Sequence, residues 1–134
     1  MSAVRRLIVA LGFVTASLVV WAKDSLMASA YAPVVTDLLA AFHAEESICT
    51  LTTYQHDVCF VASPAGASSL AEALTEVADQ YAAAELRLGP WRSANGVWAV
   101  ELTFGSGAYG SVELFLTEPQ PGAVRGVFIF HEPR

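Results

Sequence analysis

Lysine is nearly missing from this chain. Lys23 is its single example, which a GC-rich coding sequence explains. Basic residues are scarce throughout, seven against thirteen acidic, for a formal net charge of −6. Without residues 1–30 the balance is four basic to twelve acidic, a net charge of −8. Such a domain repels phosphate backbones and anionic headgroups, so nucleic acid and anionic membrane surfaces are excluded as partners. No stretch matches the G-x-x-x-x-G-K phosphate loop. No G-x-S-x-G nucleophile elbow occurs, because Gly105-Ser106-Gly107 lacks both the spacing and the strand–turn–helix context. Cysteine is limited to Cys49 and Cys59, with His56 between them, and that spacing fits no standard zinc site. His43 and His131 have no metal-spaced companion. Neither a metal nor a cofactor is expected.

What the chain does have begins at its N-terminus. Arg5 and Arg6 precede an apolar run from Leu7 to Ala22, followed by a short polar stretch and Ala28-Ser29-Ala30. Positive n-region, apolar h-region and A-x-A triplet together form the layout of a secretory signal. Cleavage can fall after Ala22 or after Ala30. The run is 16 residues, slightly short of the roughly 17–20 that span a bilayer core. The alternative is an uncleaved signal anchor, with residues 7–22 as the one membrane contact and Trp21 and Lys23 at the outer interface. No cysteine follows the h-region, which argues against a lipoprotein. The expectation is a secreted or extracytoplasmic protein, periplasmic or in the cell envelope, or one anchored by residues 7–22. In an exported chain an even pair of cysteines reads as a disulfide, Cys49 to Cys59.

Removing residues 1–30 from 134 leaves 104, enough for one small domain over 31–134. Pro33 suits a helix start, and Val35, Leu38, Leu39 and Phe42 repeat at helical spacing, predicting a helix over 33–46. Ile48–Tyr54 and Val58–Val61 are β-rich and flank Gln55-His56-Asp57, which predicts a hairpin with Cys49 facing Cys59. Ser69 and Glu72 have capping-box spacing. Leu70, Leu74, Val77 and Tyr81 form one stripe of a second helix over 70–83. From Ala84 the period is two. Leu86 and Leu88 form a short strand, Asn95-Gly96 marks a turn, and strands follow around 98–104, 112–117 and 124–130.

Centring the Gly105–Gly110 loop on Ala108 pairs Phe104 with Val112, Leu102 with Leu114 and Val100 with Leu116. Centring the next turn on Pro121 pairs Leu116 with Gly126, Leu114 with Phe128 and Val112 with Phe130. Both registers align apolar residues on one face, and a one-residue slip would destroy that alignment. The expected fold is α+β: two N-terminal helices packed on a curved antiparallel sheet ending in a β-meander. The other face carries Glu101, Thr103, Glu113 and Arg125, but also Phe115, Val127 and Ile129. These three form a candidate interface, unless the first helix or the hairpin covers them.

The stretch from Leu88 to Phe130, LGPWRS…NGVWAVELTFGSGAYGSVELFLTEPQPGAVRGVFIF, resembles the C-terminal sheet of nuclear transport factor 2-like (cystatin-like) domains. The nearest likeness is to small exported members sometimes attached to serine hydrolases. The resemblance implies a curved α+β cone with helices over its concave face. The Cys49–Cys59 element departs from that family's usual helical start. Enzymes of the superfamily use an Asp, His or Tyr inside the cone. Here the inward strand face, Trp98 to Phe104, Val112 to Leu116, Phe128 and Phe130 by alternation, offers no titratable group, and general acid–base catalysis requires one. Tyr54, His56, Asp57 and Tyr81 are the polar groups that could reach a pocket from elsewhere. The expected function is an exported, non-catalytic binding or protein-interaction module. Its partner is an exported protein or a small apolar ligand, with a homodimer as one form. The alternative is a small-molecule isomerase or cyclase with its pocket in the cone.

Overall fold

A computed structural model describes residues 25–49 and 57–133, with side chains from Ala30 onward. The signal segment up to Asp24, Tyr54, His56 and most of the expected hairpin loop lie outside the described residues.

Helix α1 runs Ser25–Ala41, starting earlier and ending earlier than the sequence pattern predicts. Pro33 lies inside it rather than at its first turn. The ring costs one intrahelical hydrogen bond, but it sits on the exposed side while Tyr31, Val34, Val35, Leu38 and Phe42 are buried on the other. That stripe continues the helical period across the proline, so packing overrides the local penalty. Ala28-Ser29-Ala30 falls within the helix. The helix ends where His43 adopts φ 53°. Glu45 and Glu46, good helix formers, then enter strand β1 (Ala44–Ser47) instead. Their place on the sheet edge outweighs their propensity, and edge charges also discourage further strand pairing.

Strand β1 precedes the β-rich run Ile48–Tyr54 that was expected to form it. It pairs with β2 (Val58–Ala62), Ser47 opposite Cys59. Cys49 lies just past the strand and is bonded to Cys59, with Cα atoms 5.3 Å apart. Helix α2 spans Ala67–Gln80 and buries Leu70, Leu74, Val77 and Ala78. Its cap differs from the expected Ser69–Glu72 box. Ser69 reaches back to Gly66, accepting from its N–H at 3.2 Å and donating to its carbonyl at 2.8 Å. Glu118 accepts from the N–H of Ala67 at 3.2 Å, a tertiary cap at the positive end of the helix. A short 3₁₀ turn, Ala82–Ala84, ends at Glu85, and strands β3 (Leu86–Leu88), β4 (Arg92–Ala94), β5 (Val97–Phe104), β6 (Ser111–Gln120) and β7 (Ala123–His131) follow.

The described strands form one antiparallel sheet in the order β1-β2-β7-β6-β5-β3, with β4 also on β5. Strands β3 and β4 are two halves of one edge, broken at Gly89-Pro90. The β6–β7 register is the expected one: Val112 faces Phe130, Leu114 faces Phe128 and Leu116 faces Gly126. The β5–β6 register is two residues away from expectation, with Leu102 opposite Val112, Val100 opposite Leu114 and Trp98 opposite Leu116. Tyr31 supplies the reason. Its hydroxyl donates to the carbonyl of Gly110 at 2.8 Å and accepts from the N–H of Phe104 at 3.1 Å. Those two backbone groups are thereby withdrawn from the ladder, and Phe104 pairs with Leu86 on its other side. An even shift preserves the faces, so the core is the expected one. It lies between α1, α2 and the inner sheet face, with Val100, Leu102, Val112, Leu114, Leu116 and Phe128 all almost fully buried.

Candidate functional site

Both helices contribute to the core on the inner face. By alternation the opposite face presents Cys59 and Val61 from β2, Arg125, Val127, Ile129 and His131 from β7, and Ser111, Glu113, Phe115 and Thr117 from β6. Strand β5 adds Val97, Ala99, Glu101 and Thr103, and β4 adds Arg92. Register sets these into rows. Cys59, Val127, Phe115, Ala99 and Arg92 stand side by side across five strands. Ile129 lies beside Glu113, one pleat along. Phe115, Val127 and Ile129 are each half-buried. The three residues singled out from sequence are therefore neighbours on one face, and the disulfide borders them at Cys59.

Next to this apolar strip is a polar groove of about 840 Å³. Its chemistry centres on Glu113. Glu113 is directly opposite Glu101 across the β5–β6 ladder, a like-charge pairing that destabilises a sheet on its own. The Arg92 guanidinium binds one carboxylate oxygen of Glu113. The other oxygen meets His131 Nε2 at 3.1 Å. Glu113 is thus held between the Arg92 guanidinium from the sheet edge and the His131 imidazole from β7, while Glu101 remains exposed. Both carboxylates lie on the outer face, Glu101 exposed and Glu113 mostly covered, with 18% of its side chain exposed. Because Arg92 and His131 are themselves largely exposed, 62% and 49% by side chain, solvent screens these pairs. They set the shape of the groove more than the stability of the fold.

The remaining polar residues named from sequence lie apart from one another. Asp57 precedes β2, and its Oδ1 accepts from the N–H of Phe130 at 3.3 Å. Its second oxygen is buried without a partner among the described residues. Tyr81 closes α2 and donates its hydroxyl to Asp37 of α1 at 2.6 Å, with its ring edge-on to Phe104. It ties the two helices together. Tyr54 and His56 fall outside the described residues.

Three participants were not singled out beforehand. Tyr31 could have been found by running the α1 stripe backwards through Pro33. His131 follows from register, once Phe130 is set opposite Val112 and alternation is carried one residue further, whereas Arg92 needs the β4–β5 pairing that sets it opposite Ala99.

The Tyr81 contact gives a direct titration test. Donation to Asp37, followed by burial, pushes the Tyr81 hydroxyl up to about 12 from its usual 10.0. The fold holds this proton more tightly than the unfolded chain does. The stability it contributes is therefore fully present below pH 10 and is lost as pH rises through about 12. Ultraviolet titration should show one tyrosine ionising late, and Asp37→Asn should bring it back toward the others. An unchanged curve in Asp37→Asn would contradict the assignment.

Among the described residues the buried set contains no charged side chain, and no group of three or more acidic, histidine or cysteine side chains is arranged to hold a metal. Comparison with protein families, with curated proteins and with solved structures finds no match to this chain.

Proposed function

We propose that this chain is an exported, non-catalytic interaction module that docks through the outer face of its sheet. One observation carries the reading: both helices are spent on the inner face, while the outer face sets Cys59, Val127, Phe115 and Ala99 in one continuous row beside the Arg92–Glu113–His131 groove. An apolar centre with a polar margin is the composition of protein–protein contact surfaces. The inner face argues against a catalytic cone. Tyr31, Val34, Leu38, Leu70 and Leu74 fill it, and the Tyr31 hydroxyl is committed to backbone partners.

The Cys49–Cys59 bond supports an oxidising compartment, in keeping with the Arg5-Arg6 and Leu7–Ala22 signal pattern. Among the described residues no helix is long and apolar enough to cross a membrane. The two helices on one face of an antiparallel sheet support the nuclear transport factor 2-like reading.

The first partner to test is a second copy. Two such acidic chains repel at a distance, so their contact must be apolar at its centre. Raising salt should then strengthen association, since it screens the repulsion. Val127→Asp should abolish association while leaving circular dichroism and unfolding unchanged. Sedimentation velocity of the exported protein decides between the outcomes. A strict monomer at high concentration, with no partner recovered by cross-linking in the cell envelope, would overturn the proposal.

A further inference from the structure

We propose that a second groove, on the opposite side of the sheet, binds a neutral sugar ring. It lies between the N-terminus of α2 and the β4–β5 hairpin, an open groove of about 440 Å³. Specific small-molecule clefts fall in the range of roughly 300–1,000 Å³. Gly66, Ala67, Ala71, Trp91, Trp98 and Leu116 form its lining, with Ser68 and Glu118 as its polar groups.

The packing explains why the groove exists. Trp98 occupies an inner-face position of β5, in line with Val100 and Leu102, which are 0% and 1% exposed. Yet Trp98 is only half-buried. Deeper along α2, Leu70, Leu74 and Val77 fill the space over the sheet. Near its N-terminus the helix offers only Ala67, Ser68 and Ala71 to the groove. Nothing larger precedes them: a Cβ added at Gly66 would meet only Glu118 Oε1, at 3.9 Å. Trp91 on the facing edge is 37% exposed, an unusual cost for so large an apolar side chain. Two indoles thus flank a space lined with small residues.

Charge narrows the ligand class. Among the described residues no basic side chain lines the groove, and Glu118 repels anions. The positive end of α2 opposes the Glu118 charge, so a cation gains little either. A neutral ligand remains. Glu118 Oε1 accepts from Ala67, but a carboxylate has about four acceptor sites. The unused capacity favours a ligand rich in O–H donors, and Ser68 can exchange hydrogen bonds with the same hydroxyls. The negative π-face of an indole attracts weakly positive C–H groups. A ring with C–H faces and a hydroxyl rim is a pyranose.

Two-dimensional NMR of the indole N–H signals, which separates the tryptophans, tests this with cellotriose and triacetylchitotriose as probes. At least one trisaccharide should shift the Trp91 and Trp98 signals saturably. Trp91→Ala should weaken that binding by about tenfold, the loss of roughly one stacking contact. Ala71→Leu, which fills the groove from the helix side without removing either indole, should abolish it. Glu118→Gln keeps an acceptor for Ala67 but loses the charge-assisted bond, and should weaken binding several-fold. The proposal is overturned if neither sugar shifts these signals at millimolar concentration. It is equally overturned if Ala71→Leu binds as the parent does, or if indole, which lacks hydroxyls, binds as tightly as the sugars.

Discussion

Gly110→Ala should be among the most destabilising single changes in this protein, while Gly122→Ala, at nearly the same backbone angle, should be mild. Both glycines sit at positive φ, 79° and 87°. An alanine there costs about 1–2 kcal/mol from the left-handed backbone alone. The difference lies in what a Cβ would meet. At Gly122 no atom of the described residues lies within 4 Å. At Gly110 the Cβ would stand 2.1 Å from the carbonyl oxygen of His131 and 3.1 Å from the nitrogen of Pro133. Those are backbone atoms and cannot swing aside. Gly110 also offers its carbonyl to the buried Tyr31 hydroxyl, so any shift disturbs the anchor of α1. The expected loss is about 3 kcal/mol or more, combining backbone strain with overpacking. Urea unfolding of the two variants side by side measures it. Equal midpoints would mean that the β6–β7 end is looser than described.

Removing the disulfide should have the second large effect. Cys49→Ser, or reduction of the parent protein, should cost roughly 2–4 kcal/mol. The bond closes a short loop, and its main action is to limit the unfolded chain. In a domain this small that loss is a large share of the roughly 5–15 kcal/mol that stabilises a typical fold. The consequence should be local as well as global. β1 is a four-residue edge strand, joined to the sheet, among the described residues, only through β2. Hydrogen exchange should therefore rise first in β1 and β2, with β5 to β7 still protected. Mass spectrometry after alkylation without reductant checks the starting point, and two alkylated thiols would remove the premise. If stability were unchanged on reduction, the loop would already be ordered by other contacts.

The hydrophobic period was sufficient to read most of the architecture. The stripe Leu70, Leu74, Val77 and Tyr81 located α2. Alternation from Trp98 to Phe130 assigned the central residues of β5, β6 and β7 to their faces, because a period of two tolerates only even errors; the end of β6, where the register slips between Thr117 and Gln120, was not among them. That is why the β5–β6 register could be wrong by two residues while Val100 and Leu102 still came out on the core face; Phe115, Val127 and Ile129 came out as neighbours because the β6–β7 register was right. The pairing of Cys49 with Cys59 was legible from their number and the export signal.

Tertiary contacts decided the rest. Whether Pro33 starts a helix or lies within one depended on Tyr31 finding Phe104 and Gly110, residues more than seventy positions away. Glu45 and Glu46 became strand because an edge of the sheet was there to take them. The Arg92–Glu113–His131 contact and the gap beneath Trp91 and Trp98 arise where separate strands and a helix end meet. Local sequence sets propensity and face. Loop closure, capping by distant side chains and the space left over by small residues are properties of the assembled chain, and there the sites of this protein lie.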